Sequence, residues 1–118
     1  MGARADAQFG PLVVVGLGGI FVELLKDTAV RPAPVSPLQA RAMLASLKGR
    51  ALLDGFRGMQ AVDQDRLANI IARVSELAAD QSELLTELDV NPLICAGSNI
   101  MAVDALIVRQ AAVQGHFA

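Results

Sequence analysis

Residues 11 to 16, PLVVVG, are an apolar, β-branched run, and a second run, IFVELLKDTAV at 20 to 30, resumes after the glycines at 16, 18 and 19. Val14, Val15, Phe21, Val22 and Val30 suit a pleated surface, so the two runs predict strands joined by a tight glycine turn. The three prolines of RPAPVSP then withdraw backbone donors and should end the pairing. Apolar spacing changes to a helical period after them. Ser36 is expected as N-cap, with Pro37 at the first helical position, Gln39 completing a capping box and Gly49 as C-cap; Ala40, Met43, Leu44 and Leu47 should face the core. LLDGFRG, residues 52 to 58, reads as a glycine-rich connector. A second helix is expected from a cap at Asp63 to about Asp80, with Leu67, Ile70, Ile71, Val74, Leu77 and Ala78 tracing its apolar stripe. ELDVNPLIC and IMAVDALIV, on either side of the turn AGSN, predict a hairpin, and residues 110 to 118 a frayed end.

This order, β-β-α-α-β-β, implies one α+β domain over residues 1–118, with two helices packed on one face of a mainly antiparallel sheet. Composition narrows the partners. Hydrophobic residues make up 53% of the chain, which excludes disorder, yet the charge-free apolar stretch at 11 to 22 is shorter than the roughly 18 residues a spanning helix needs. A formal net charge of −2, with acids and bases interspersed, offers no basic face to nucleic acid and no polybasic patch to a membrane. A single cysteine and the lack of a charged segment followed by an apolar one point to a cytoplasmic setting. Cys95 is expected as a packing residue, and His116 has no partner at a useful spacing.

The glycine turn does not read as a dinucleotide fingerprint. Gly16 and Gly18 fit G-x-G-x-x-G, but Phe21 takes the third glycine position and no acidic residue follows Asp27 until Asp54. Backbone N–H groups exposed at such a turn can instead bind anionic oxygens, because no Cβ blocks the approach; the other reading is a plain tight hairpin. The C-terminal hairpin carries more chemistry. Strand alternation sets Glu87, Asp89 and Asn91 on one face and Leu88 and Val90 on the other. Asp104, among apolar residues, would be costly to bury unless it met a cation or donors, and the AGSN turn brings it near Asn91. Oxygens gathered in this way suit Mg, which completes its octahedron with water and phosphate. The alternative is a solvated acidic strand face with Asp104 in a salt bridge.

FGPLVVVGLGGIFVELLKD, RPAPVSPLQARAMLASLKGRALLDGFRG and ELDVNPLICAGSNIMAVDALIV together resemble the ATP-grasp domain of ADP-forming acyl-CoA synthetases. The same domain type occurs in the succinyl-CoA synthetase beta subunit and in large bacterial protein acetyltransferases. The resemblance covers about residues 6 to 109 and only the C-terminal part of that domain, so the chain is expected to be a fragment of a longer polypeptide. It implies a reaction joining a carboxylic acid, CoA and ATP into acyl-CoA, ADP and phosphate through an acyl phosphate and a phosphohistidine. Carried over by motif, Asn91 and Asp104 would ligate Mg, Asp89 would act on the phosphohistidine, and Gly18 and Gly19 would contact nucleotide. Mg and ATP or ADP are the implied cofactors, with CoA bound through other domains. The implied partners are the other ATP-grasp lobe and the CoA-binding domain, and an apolar face meant for that lobe could promote self-association into a homo-oligomer. Two other readings stay open: a regulatory lobe of a protein acetyltransferase, and a non-catalytic interaction module. The resemblance assigns no role to Glu23, Arg57 or Glu87.

Overall fold

Alternating burial along β2 (Gly10–Gly16) follows from its valines: Val13 and Val15 are buried against the helices, while Val14 faces the opposite side of the sheet. The computed structural model describes residues 1–17, 27–55 and 58–110. Its other elements are β1 (Gly2–Asp6), β3 (Thr28–Pro32), α1 (Pro37–Ser46), a 3-10 helix (Arg50–Asp54), α2 (Gln64–Asp80), β4 (Leu85–Val90), β5 (Leu93–Ala96), β6 (Asn99–Ala102) and β7 (Ala105–Arg109). Five strands form one antiparallel sheet in the order β3-β2-β1-β4-β7, and β5 and β6 pair separately. The α+β architecture with both helices on one sheet face is borne out, since Val13 and Val15 share one core with Met43, Leu44 and Leu47 of the first helical region and Leu67, Ala68 and Ile71 of α2.

The element order needs correcting in three places. β1, GARAD, lacks the β-branched residues that mark a strand, and it forms because its partner is supplied locally. The Asp6 carboxylate accepts the N–H groups of Gln8 (2.8 Å) and Phe9 (2.9 Å), and Gly10 takes φ +73°, so a short turn folds β1 onto β2. Pairing also survives into the proline segment: Pro32 faces Leu12, and Ala33 N–H donates to Pro11 O at 2.9 Å. A proline is tolerated there because β3 is an edge strand among the described residues, where a missing ladder donor costs little. Residues 18–26 of the expected second strand lie outside the described residues. Lastly, the hairpin over 87 to 108 is divided into β4, β5, β6 and β7 by a break at Asn91-Pro92 and Val103-Asp104.

The capping box of α1 is present, with Gln39 N–H donating to Ser36 Oγ (3.1 Å) and Ser36 N–H to Gln39 Oε1 (2.9 Å). The helix ends earlier than Gly49. Leu47 is the C-cap in extended conformation, which buries its side chain, and the Asp27 carboxylate accepts the next two N–H groups, from Lys48 (2.6 Å) and Gly49 (2.9 Å). A Cβ on Gly49 would lie 2.5 Å from Leu17 Cδ1, so a larger residue there would require the Leu17 side chain to move. In α2 the buried stripe is Leu67, Ala68, Ile71, Ala72, Ser75 and Ala78, while Leu77 is 45% exposed. Small side chains at 68, 72, 75 and 78 let the helix lie close to α1 and the sheet, a preference that counting large apolar residues overlooks.

Ser75 is fully buried and satisfied: its Oγ accepts Val35 N–H (2.9 Å) and donates to Ala72 O (2.6 Å). That bond pins the proline-rich segment to α2. Ser75→Ala should lower stability by about 1–3 kcal/mol in urea unfolding, because it leaves the buried Val35 N–H without a partner; a change within error would show that the segment is held by packing alone.

Candidate functional site

β4 lies between β1 and β7, and this placement sets the surroundings of each acidic side chain. Asp89 is half-buried, opposite Gly2 on one side and Leu106 on the other; exposed Glu87 lies opposite Arg4 and Val108. Leu88 faces the helices with Ala3 and Ala78, so the alternation expected for 87 to 91 holds over β4. A Cβ on Gly2 would collide with the Leu88 carbonyl oxygen, so β1 can pass this close to Asp89 only with glycine there. The Met1 α-ammonium donates to Val90 O at 3.2 Å; burial pushes its pKa down, and the Asp89 carboxylate opposes that shift.

One register runs through the C-terminal hairpin. Val90 faces Ala105 on one side of the break and Leu93 faces Ala102 on the other, so Asn91 lies directly across from Asp104. Their backbones are joined by Asn91 N–H to Asp104 O at 3.1 Å, and the next pair by Val103 N–H to Pro92 O at 3.0 Å. Asp104 Oδ1 accepts the N–H of Ala105 at 2.9 Å, which ties its carboxylate to the local backbone. The premise that Asp104 suffers desolvation does not hold, because all of 101 to 109 is exposed. What remains is juxtaposition: two exposed residues with hard oxygen donors, facing each other in the break between the two strand pairs. Among the described residues no group of three or more His, Cys, Asp and Glu side chains could hold a metal ion. A two-oxygen set of this kind fits an ion that keeps most of its ligands as water or phosphate, as Mg does, and does not fit a fully protein-ligated metal.

Beside Asn91 opens a cavity of about 260 Å³, lined mainly by apolar residues of the core, the 3-10 helix and β5, together with Gly16 and Leu17. Gly16 and Leu17, which precede the glycine pair, thus line the same cavity as Asn91. Gly18, Gly19 and Glu23 lie outside the described residues, as do Arg57 and His116. Cys95 lines the cavity as a half-buried packing residue, and burial pushes its thiol pKa up. Gly2 and Arg4, which face Asp89 and Glu87 from β1, were missed by sequence reasoning because β1 itself went unrecognised; the turn signal in DAQFG could have revealed it.

Comparison with known proteins identifies the setting. Residues 1–108 match a family model for the ATP-grasp domain. The chain is 43% identical over 108 residues to the acetate–CoA ligase (ADP-forming) I beta subunit of Pyrococcus furiosus, covering 92% of this chain and 46% of that one. It is 39% identical to the acetate–CoA ligase (ADP-forming) I of Archaeoglobus fulgidus, covering 92% of this chain and 16% of that one. Among solved structures, acetyl-coenzyme A synthetase 1 of Ca. Korarchaeum cryptofilum, in complex with coenzyme A and Mg-AMPPCP and with its phosphohistidine segment pointing towards the nucleotide site, superposes with a TM-score of 0.86. Identity there is 40%, over 92% of this chain and 51% of that one. The chain thus spans about half the length of the beta subunit it matches.

The Cys95 environment is directly measurable. Because burial favours the neutral thiol, the midpoint of its alkylation rate against pH should lie higher in the folded protein than in urea, so iodoacetamide should react more slowly with the folded form at pH 8. An equal or lower folded midpoint would contradict that environment.

Proposed function

Since the chain belongs to the ATP-grasp domain family and its relatives are ADP-forming acyl-CoA ligases, we propose that it is the part of such a ligase that holds Mg-nucleotide during phosphoryl transfer. The longer protein would convert a carboxylic acid, CoA and ATP into acyl-CoA, ADP and phosphate. The observation that carries this reading is the pairing of Asn91 with Asp104 across an unbroken register.

Asn91 Oδ1 and Asp104 Oδ2 are the oxygens that would ligate Mg, with its remaining positions left to water and phosphate. The metal supplies positive charge that neutralises phosphate oxygens during transfer. The bond from Ala105 N–H to Asp104 Oδ1 ties the carboxylate to the hairpin backbone. Asp89 shares the β4 face with Glu87 and stands over Gly2, where no side chain from β1 crowds it. A half-buried carboxylate in that position can accept a hydrogen bond from an imidazole N–H and stabilise its cationic form, the role proposed for Asp89 toward a phosphorylated histidine elsewhere in the ligase. Gly18 and Gly19 would lend backbone N–H groups to nucleotide oxygens. The other ATP-grasp lobe and the CoA-binding domain complete the proposed enzyme, and the 118-residue chain alone should not turn over.

Steady-state assays on the longer ligase should include ATP, Mg, CoA and a panel of short carboxylic acids. Asp104→Ala and Asn91→Ala should each cut CoA-dependent ADP release by at least ~10²-fold and raise the Mg concentration needed for half-maximal rate. Unchanged Mg dependence would remove the metal role from these residues. Nucleotide binding with no ADP formed from any acid would make the lobe regulatory.

A further inference from the structure

The two edges of the main sheet are built differently. β3 is blunted in the usual way, with exposed Arg31 and a proline at position 32. β7 carries no proline, and its one exposed charge, Arg109, comes at its last position. Its sequence, ALIVR, is apolar until its last residue, with Leu106 at 56%, Ile107 at 55% and Val108 at 38% exposure. Leu106 and Val108 stand on the face of Asp89 and Glu87, and Ile107 on the helix face beside Leu88, so the strand is apolar on both sides. On the preceding arm Val103 (60%) and Met101 (68%) are exposed as well. Unbroken apolar runs belong to strands covered on both faces and paired on both sides. Among the described residues, β7 pairs only with β4.

We propose that an extended, apolar strand from the part of the longer ligase that this chain does not include pairs with β7 and continues the sheet. This rests on the family reading: the chain spans 46% of the beta subunit it matches, so about half of such a protein remains to be packed. A second copy of the chain fits less well. Two-fold antiparallel pairing of β7 with itself matches residues separated by an even number of positions, so no register sets Arg109 directly against Asp104 of the other copy, and neither charge gains an opposite partner across the pair.

Hydrogen exchange of residues 105–109 tests this, measured on the 118-residue chain and on the longer ligase. Exchange in the longer ligase should be at least about tenfold slower, and Ile107→Lys in that protein should bring it back toward the rate of the shorter chain. Equal exchange in the two unmodified proteins would overturn the proposal without any variant. So would protection in the shorter chain that disappears on dilution, which would assign the edge to a second copy. Acyl-CoA formation assayed on the same samples separates the two ideas: protection without activity keeps the strand pairing and removes the reaction, and activity without protection does the reverse.

Discussion

The close passage of β1 beside β4 is the constraint on which the fold and the candidate site both depend. β1 is the middle strand, joining the N-terminal hairpin to a C-terminal hairpin more than eighty residues away in sequence. That junction tolerates no side chain at position 2, where a Cβ would meet the Leu88 carbonyl. Ala3 packs with Leu88 and Ala78 on the helix side, while Gly2 leaves the other side open beside Asp89. One pair of strands thus closes the core and shapes the surroundings of the acidic face.

Signals carried by a few neighbouring residues were legible in the sequence. The capping box at Ser36, the cap at Asp63, the strand at residues 11 to 16 and the Asn91–Asp104 juxtaposition were all readable from local pattern and spacing. What escaped depends on tertiary context. GARAD becomes a strand because two partners pair with it, against its own weak propensity. Leu77 is turned outward because α2 seats its small residues inward. The end of α1 is decided by an acid twenty-one residues earlier, Asp27, which no local pattern at Gly49 could announce.

Electrostatically, the site is simple. Asp104 and Asn91 are exposed, so their disposition rests on strand pairing and one backbone hydrogen bond rather than on burial. Little energy is spent holding a charge away from water. Such a surface is suited to a ligand that arrives with its own charge and water shell, and it leaves exclusion of solvent to whatever closes over it.

The shared register of the hairpin also limits how its length can vary. Between Asn91 and Asp104 the chain runs outward through Pro92 to Ala96 and returns through Asn99 to Val103, step for step. Adding one residue to a single arm would change which residue stands across from Asn91 and turn the remainder of that arm to the opposite face. Matched changes on both arms preserve the alignment, and so does lengthening confined to the Gly97-Ser98 turn. Gly97, however, accepts the N–H of Asp63 at the start of α2, so the turn is itself moored. Related chains of different length should therefore differ at Ser98 or by equal additions to both arms, leaving Asn91 and Asp104 face to face.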